Sequence, residues 1–239
     1  MAFPEYPTDQ LAFHYGFNET GINIYDSSPA SRDAFIAETG IERVSSFTGI
    51  AGLSVSNTDL TSIGYITGAT GSYGDVDRGS FSLSVWVYTK WTDCKDNTII
   101  CSKASDFYMP YFEFGIENDK WYCYCDYFSN NKTDIVYTQN THDMVESRWY
   151  HITITVERKE YGNLARFYKN GVFYNHDIGR GSNPPYIARS LSNNGLFSVF
   201  KSFGANSINS GHFKLDDLWF FNNRLLSDAD VQDLFKAME

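Results

Sequence analysis

Short segments in which apolar and polar residues alternate recur along this chain, and they constrain its fold more than any other feature. Both 80–90 (SFSLSVWVYTK) and 148–159 (RWYHITITVERK) alternate over their whole length. Side chains point to opposite faces of a strand in turn, so each segment would present one apolar face. About ten such segments, separated by turn residues, favour two packed antiparallel sheets over a βαβ arrangement.

The composition fits one large all-β domain. The chain has 239 residues, and 17% of them are aromatic. A chain of this length buries a sizeable core without disulfide or metal staples, and aromatic residues favour sheets. We therefore predict a single domain over 1–239, with its core in 11–235.

The charge and hydropathy of the chain exclude two classes of partner. The net charge is −10, and no run of Lys or Arg offsets it locally, so a nucleic-acid partner is disfavoured. No segment reaches the roughly 18 apolar residues of a membrane span, so we expect no membrane insertion. Residues 1–13 lack the charged start and apolar core of a signal peptide.

The last part of the chain carries the strongest local signals. Asn170-Gly171 lies between two alternating runs, which predicts a β-hairpin. Residues 213–222 alternate and predict the final strand. A helix follows, because Ser227 is a suitable N-cap and the apolar residues after it recur at helical spacing. A weaker helical pattern occurs over 28–38.

Four cysteines lie within one third of the chain, at Cys94, Cys101, Cys123 and Cys125. A strand would point Cys123 and Cys125 to the same face. Their spacing allows three interpretations: reduced core thiols, disulfides to the other two cysteines, or a metal site. The spacing is unusual for zinc ligands, so reduced thiols are favoured.

Five segments, taken in order, resemble the laminin G-like members of the concanavalin A-like lectin/glucanase superfamily. They are FNETGINIYDSS (17–28), SFSLSVWVY (80–88), RWYHITITV (148–156), FYKNGV (167–172) and LDDLWFFNNRLLSDADVQDLF (215–235). The resemblance implies a two-sheet antiparallel β-sandwich of jelly-roll type with a short C-terminal helix. Since this fold serves lectins, adhesion modules and hydrolases, function has to be inferred from the site.

The resemblance also implies a ligand groove on a concave sheet. If 110–117, 120–128 and 148–159 share that sheet, seven outward side chains line the groove: Tyr111, Glu113, Tyr122, Tyr124, Asp126, Trp149 and His151. Flat aromatic rings with a few polar groups suit sugar binding. The alternative is that these side chains stabilise the sheet through cross-strand pairs or form a protein interface.

A catalytic function is disfavoured. Glucanases of the superfamily place an acid and a nucleophile on one strand, and the nearest match here is Glu113 with Glu117. They are four positions apart, which is about 13 Å in a strand and too far for a glycosidase pair. The five histidines are scattered, and no Ser/His/Asp arrangement emerges from the sequence. We predict that the protein is not an enzyme.

Calcium is the metal that the resemblance implies. Relatives hold a structural calcium near both chain ends with an Asp of the last strand, and Asp216 occupies the matching position. Glu19 and Asp26 are possible further ligands, since calcium prefers carboxylate oxygens. Asp216 would share a face with Leu218 and Phe220. The alternative is that Asp216 accepts backbone hydrogen bonds.

The sequence therefore predicts a non-catalytic recognition or adhesion domain. We expect it on a virion surface, as a capsid decoration, fibre or tail protein of a phage, or otherwise outside the cell. Its expected partners are a glycan or other virion or cell-surface proteins, and a homo-oligomer is possible. The alternatives are a secreted carbohydrate-binding module of a larger enzyme and, less favoured, a polysaccharide hydrolase or lyase.

Overall fold

The fold is presented from a computed structural model of the chain. It describes residues 9–36, 41–45, 53–57, 66–68, 79–89, 97–104, 112–125, 134–138, 143–145, 147–159, 162–179, 196–200 and 213–237. Within these ranges the chain forms strands and one helix. The strands are β1 (Leu11–Tyr15), β2 (Asn23–Ile24), β3 (Ala34–Ile36), β4 (Ile41–Ser45), β5 (Leu53–Asn57), β6 (Ile66–Gly68), β7 (Phe81–Thr89), β8 (Asn97–Ala104), β9 (Phe112–Glu117), β10 (Lys120–Cys125), β11 (Asp134–Tyr137), β12 (Arg148–Lys159), β13 (Gly162–Lys169), β14 (Val172–Gly179), β15 (Leu196–Val199) and β16 (Phe213–Asn222), and helix α1 is Asp228–Ala237.

The strands form two antiparallel sheets, as the alternating segments predict. Sheet A has the order β14-β13-β12-β7-β16-β5-β4, and β1 also pairs with β16. Sheet B has the order β11-β10-β9-β8-β15-β6-β3-β2. Neighbours in space are often distant in sequence, since β16 pairs with β1, β5 and β7. The first and last strands of the chain are therefore joined in one sheet.

The core lies between the two sheets and is largely aromatic. Phe220 of β16 is fully buried, and its ring lies 5.3 Å from Phe13 and 5.8 Å from Phe81, both in sheet A. The same ring lies 5.8 Å from Phe197 and 5.9 Å from Phe112, both in sheet B. One side chain thus packs against both sheets at once.

A second apolar cluster covers the other face of sheet A, where α1 lies. It contains Trp86, Tyr168, Trp219, Phe221, Leu226, Val231 and Leu234. The N-cap prediction is confirmed: the Ser227 hydroxyl accepts from the Asp230 N–H at 3.1 Å, and Asp230 accepts from the Ser227 N–H at 2.8 Å. The helix packs on the sheet face, because the strands carry apolar residues on both faces here.

The β-hairpin prediction is also confirmed. Asn170 and Gly171 have φ angles of 51° and 74°, the left-handed conformations that a tight two-residue turn requires. Gly171 is also in close contact with α1. A Cβ atom at this position would lie 3.0 Å from Cδ1 and 3.1 Å from Cβ of Phe235. The turn therefore needs glycine for both its backbone and its packing.

Replacing Gly171 with alanine should lower the free energy of unfolding by about 2 kcal/mol, because alanine is strained at positive φ and crowds Phe235. Gly21→Ala is a matched control, since Gly21 has φ +95° and nothing within 4 Å of the added atom. It should cost only about 1 kcal/mol. Urea unfolding measures both losses. Equal losses would contradict the packing of Phe235 on the turn.

Two local predictions have different outcomes. The helical pattern over 28–38 is wrong for its described part, because Ala34–Ile36 form β3 and pair with β2 and β6. Three of the cysteines, Cys101, Cys123 and Cys125, are buried and lie outside any disulfide. The Sγ atoms of Cys123 and Cys125 lie 3.4 Å apart on the core face of β10. Cys94 lies outside the described residues.

Candidate functional site

The structure divides the five predicted groove residues that it describes between two sheets. Glu113 of β9 and Tyr122 and Tyr124 of β10 lie in sheet B. Trp149 and His151 belong to β12, which pairs with β7 and β13 in sheet A. The expectation that these strands share one sheet is therefore wrong. Tyr111 and Asp126 lie outside the described residues.

The outward face of β9 and β10 follows the predicted alternation. Phe114, Trp121 and Cys123 join the core. Tyr124 lies opposite Glu113 and Lys120 lies opposite Glu117, so these side chains share the outer face of sheet B. Lateral pairing thus collects two tyrosines and two glutamates on neighbouring strands. We call Glu113, Glu117, Tyr122 and Tyr124 the tyrosine patch.

Hydrogen bonds and ring contacts hold the tyrosine patch together. The Tyr122 hydroxyl donates to Oε1 of Glu113 at 2.9 Å, and the Tyr124 hydroxyl donates to Oε2 of Glu117 at 3.4 Å. The two tyrosine rings lie 4.6 Å apart with a tilt of 60°. Burial, together with the negative charge of Glu113, raises the pKa of Tyr122. The phenol therefore stays protonated and keeps donating.

Only part of the patch reaches solvent. Tyr122 and Glu113 are buried, at 2% and 5% exposure, whereas Tyr124 and Glu117 are partly exposed. The buried Tyr122 and Glu113 therefore support the ring of Tyr124 and restrict its movement. An aromatic ring fixed in this way loses little conformational entropy when it binds a ligand.

A row of polar side chains crosses sheet B beside the patch. Ser102 lies opposite Glu113, Ser198 opposite Ser102, and Thr67 opposite Ser198. All three are buried. The Ser198 hydroxyl has no hydrogen-bond partner in the part of the chain that the structure describes. These hydroxyls and the Glu113 carboxylate lie in line across sheet B, and their burial leaves Glu117 and Tyr124 as the patch groups that a ligand can reach.

His151 and Trp149 lie on the face of sheet A where α1 packs. His151 is fully buried, and its Nε2 lies 2.7 Å from the Ser84 hydroxyl, which in turn contacts Thr153 Oγ1 at 2.8 Å. Its ring lies 5.3 Å from Trp86 and 5.9 Å from Phe235. Burial lowers the pKa of His151 to about 3, so the ring is neutral at physiological pH.

Trp149 is half-buried and packs against the cluster beneath α1. The predicted groove role of both residues is therefore not supported by their placement, because the helix occupies the space in front of them.

The three predicted calcium ligands do not form a cluster. In the described ranges, no group of three or more His, Cys, Asp or Glu side chains could hold a metal ion. Asp26 accepts four hydrogen bonds, from the N–H groups of His14, Ser28 and Arg32 and from the Ser28 hydroxyl. Glu19 accepts from the Tyr25 N–H at 3.0 Å. Calcium binding stays a prediction, which a thermal melt with and without chelator tests.

A β-bulge changes the predicted orientation of Asp216. The pairing of β16 with β7 shifts between Asp216 and Trp219, and Asp217 has φ +46°. Asp216 lies opposite Trp86, so it faces the α1 side and not the side of Leu218. Asp216 also accepts from the Asp217 N–H at 3.0 Å. This agrees with the backbone-acceptor alternative.

Two groupings have no local sequence signal. Helix α1 packs over β12, which brings together residues more than 70 positions apart. His14 contacts Asp217, which is 203 positions away. Strand alternation shows which residues share a face but not what packs on that face. Only the apolar residues at 219 and 221, on the face opposite the core, hint that both faces of β16 are covered.

Comparison with known proteins identifies the family. The model for a laminin G-type family of the concanavalin A-like lectin/glucanases superfamily matches residues 62–232, which is more than half of the chain. No curated protein sequence matches. No helix within the described ranges is long and apolar enough to cross a membrane.

Several solved structures share the fold. The binding domain of Paraclostridial Mosquitocidal Protein 1 matches with a TM-score of 0.68 and 18% identity, over 95% of this chain and 52% of that chain. The binding domain of botulinum neurotoxin DC matches in its complex with rat synaptotagmin II, with a TM-score of 0.69 and 15% identity, over 97% and 52%. It also matches in its complex with SialylT, with a TM-score of 0.67 and 15% identity, over 97% and 52%.

The chain spans about half the length of these binding domains, and at these identities the likeness shows the fold alone. The family match covers the strands of the tyrosine patch and the paired final strand. The chain belongs to the concanavalin A-like lectin/glucanase superfamily, as a laminin G-like β-sandwich.

Proposed function

We propose that this domain is a recognition module that binds a glycan through the tyrosine patch and does not turn that glycan over. The observation that carries the proposal is the partly exposed ring of Tyr124, held by contact with the buried Tyr122 and by Glu117. Sugar rings stack their apolar faces on such aromatic rings, and nearby carboxylates accept from their hydroxyls. The complexes of botulinum neurotoxin DC with SialylT and with rat synaptotagmin II support a recognition role for this fold.

The charge of the patch favours neutral sugars. Glu113 and Glu117 place two carboxyl groups beside the tyrosines, and the whole chain carries a net charge of −10. Anionic sugars would therefore meet like charges on approach. Neutral polyols meet no such repulsion, and the carboxylates can accept hydrogen bonds from their hydroxyls.

Replacing Tyr124 with alanine should weaken glycan binding about 30-fold, which corresponds to about 2 kcal/mol for losing a central aromatic contact. A glycan array identifies the sugar, and calorimetric titration with the best hit measures the loss. The control is Phe173→Ala, an exposed aromatic residue on β14 of sheet A, which should leave the affinity unchanged.

Two outcomes would contradict the proposal. One is an array without a reproducible hit, and the other is an affinity that Tyr124→Ala leaves unchanged. The protein could also turn over a polysaccharide and lose that activity in Glu113→Gln or Glu117→Gln. Its function would then be hydrolysis or lyase chemistry and not recognition alone.

The biological setting is a separate proposal. A virion surface, in a capsid decoration, fibre or tail protein of a phage, is the setting predicted from the sequence. A secreted carbohydrate-binding module of a larger enzyme is the alternative predicted from the sequence, and the toxin binding domains that share the fold favour a module within a larger protein. Identifying what co-purifies with the protein from its native source distinguishes the two, since capsid and tail proteins are expected only in the first setting.

A further inference from the structure

Ser27, His14 and Asp217 form a chain of hydrogen bonds at the junction of the first and last strands. The Ser27 hydroxyl lies 2.5 Å from Nδ1 of His14, and Nε2 of His14 lies 2.9 Å from Oδ1 of Asp217. The three residues come from the turn after β2, from β1 and from the bulge in β16. A hydroxyl, an imidazole and a carboxylate are thus in direct contact in that order.

The direction of these hydrogen bonds follows from their chemistry. An ionised carboxylate only accepts, so Nε2 of His14 must carry the proton that points at Asp217. In the neutral ring, Nδ1 is then an acceptor and receives the hydroxyl proton of Ser27. This is the arrangement in which a base takes a proton from a nucleophile while an acid group fixes the tautomer. The serine faces Nδ1 here, and the carboxylate faces Nε2.

The surrounding structure holds the three groups in place. The His14 ring stacks on Trp219, with centroids 3.6 Å apart and planes within 16°. The Ser27 N–H donates to the His14 carbonyl at 3.0 Å, which fixes the serine beside the histidine. Asp217 has φ +46°, a conformation that costs energy in a residue other than glycine. The bulge turns Asp217 toward His14, and its neighbour Asp216 is buried opposite Trp86.

The nucleophile is accessible, while the two groups behind it are largely covered. Ser27 is exposed, whereas the His14 and Asp217 side chains are only 16% and 17% exposed. Burial alternates from Ile24 to Ser28, so the exposed Tyr25 and Ser27 point to the same side. The Tyr25 side chain is 54% exposed, and its backbone lies two positions, or about 7 Å of extended chain, from Ser27. It offers an apolar surface to a substrate.

We propose that Ser27 is a nucleophile that cleaves small carboxylic esters, with His14 as general base and Asp217 as the positioning residue. Ser27 Oγ forms a bond to the ester carbonyl carbon, and its proton passes to Nδ1 of His14. The bond from that carbon to the leaving oxygen breaks, and the leaving group takes the proton from Nδ1. Water then attacks the acyl-serine, its proton passes through Nδ1 back to Ser27 Oγ, and the carboxylic acid departs.

The neighbouring amides define the substrate further. The N–H groups of Ser28 and Arg32 donate to Asp26, so they do not serve as oxyanion donors. With less stabilisation of the tetrahedral intermediate, the reaction depends on a good leaving group. Aryl esters are therefore the expected class, and deacylation by water should be slower than acylation. The site lies beside β1 and β16, away from the tyrosine patch, so this inference does not rest on glycan binding.

A fluorophosphonate probe and p-nitrophenyl acetate test the proposal on the full chain. The probe should add one phosphonyl group per molecule, with loss of fluoride, and peptide mass spectrometry should place it on Ser27. p-Nitrophenyl acetate should give a burst of one p-nitrophenolate per chain. His14→Gln should slow both reactions about 100-fold or more, the usual contribution of a general base. Ser31→Ala removes an exposed hydroxyl from the same turn and should change neither rate.

The role of Asp217 needs a measurement of its own. Two-bond 15N–1H spectra should show the Nε2–H tautomer of His14 in the wild type and a mixture of tautomers in Asp217→Asn. Asp217→Glu should restore part of the labelling rate that Asp217→Asn loses. An adduct on another residue, no adduct on the wild type, or labelling of Ser27 at the same rate in His14→Gln would overturn the proposal. If His14→Gln fails to fold, the presence or absence of an adduct on Ser27 of the wild type still tests the proposal.

Discussion

Replacing Phe220 with alanine is expected to lower the free energy of unfolding by about 3–5 kcal/mol, because the cavity opens between both sheets. Phe220 is fully buried and its ring contacts Phe13 and Phe81 on one sheet and Phe112 and Phe197 on the other. A loss of this size is a large fraction of the 5–15 kcal/mol that stabilises a typical domain. Urea unfolding followed by tryptophan fluorescence measures it.

Phe173→Ala is the control for this prediction. Phe173 is 46% exposed on β14, so its truncation should cost well under 1 kcal/mol. Phe220→Leu, which refills most of the volume, should recover part of the loss. A Phe220→Ala protein as stable as the wild type would show that the two sheets do not pack through this ring.

Acidification is expected to destabilise the domain through His151, by about 2.5 kcal/mol between pH 7 and pH 4.5. Burial lowers the pKa of His151 to about 3 in the folded state, whereas an unfolded histidine has a pKa of about 6.5. The unfolded chain therefore binds the extra proton first. Stability is fully present above pH 6.5 and falls as the pH drops from 6.5 toward 3.

The surroundings of His151 explain why its protonation is costly. Ser84 occupies Nε2, the rings of Trp86 and Phe235 lie close by, and Nδ1 has no hydrogen-bond partner among the described residues. A charge placed there would be buried without compensation. Unfolding free energies of the wild type and His151→Gln, measured by urea at several pH values, test this. The difference between the two proteins should shrink as the pH falls, and parallel curves would contradict the account.

Strand faces could be predicted from the sequence because they depend on local alternation. Phe112, Phe114 and Ile116 of β9 and Ile152 and Ile154 of β12 all lie in the core, as the alternation of their segments indicates. The hairpin at Asn170-Gly171 and the capped helix after Ser227 also follow from local chemistry. Each of these features depends on residues that are close together in the sequence.

The assignment of strands to sheets could not be predicted, because it depends on pairing between distant segments. Trp149 and His151 alternate like groove residues, yet β12 lies in sheet A and α1 covers that face. The orientation predicted for Asp216 was wrong, because one extra residue in the bulge reverses the faces on either side of it. The contact of Asp217 with His14 follows from the same bulge, so alternation alone could not have revealed it.

Within the described residues, the candidate site is accordingly smaller than the sequence predicted. Of the five groove residues described there, only Glu113, Tyr122 and Tyr124 lie together, and Glu117 completes the patch through its bond with Tyr124. Pairing within the β9–β10 hairpin is local, which is why the sequence could predict that Glu113, Tyr122 and Tyr124 share a face. The complete groove predicted from the sequence would have required β12 to lie in the same sheet as β9 and β10.

Chemical-shift mapping tests the central claim, that sheet B recognises a glycan through the tyrosine patch, most directly. The 15N-labelled protein is titrated with the best sugar from the array, and amide shifts are recorded along both sheets. The account predicts that the largest shifts fall on β9 and β10, around Glu117 and Tyr124, and that they disappear in Tyr124→Ala. Shifts confined to sheet A, or to the turn that carries Ser27, would contradict it.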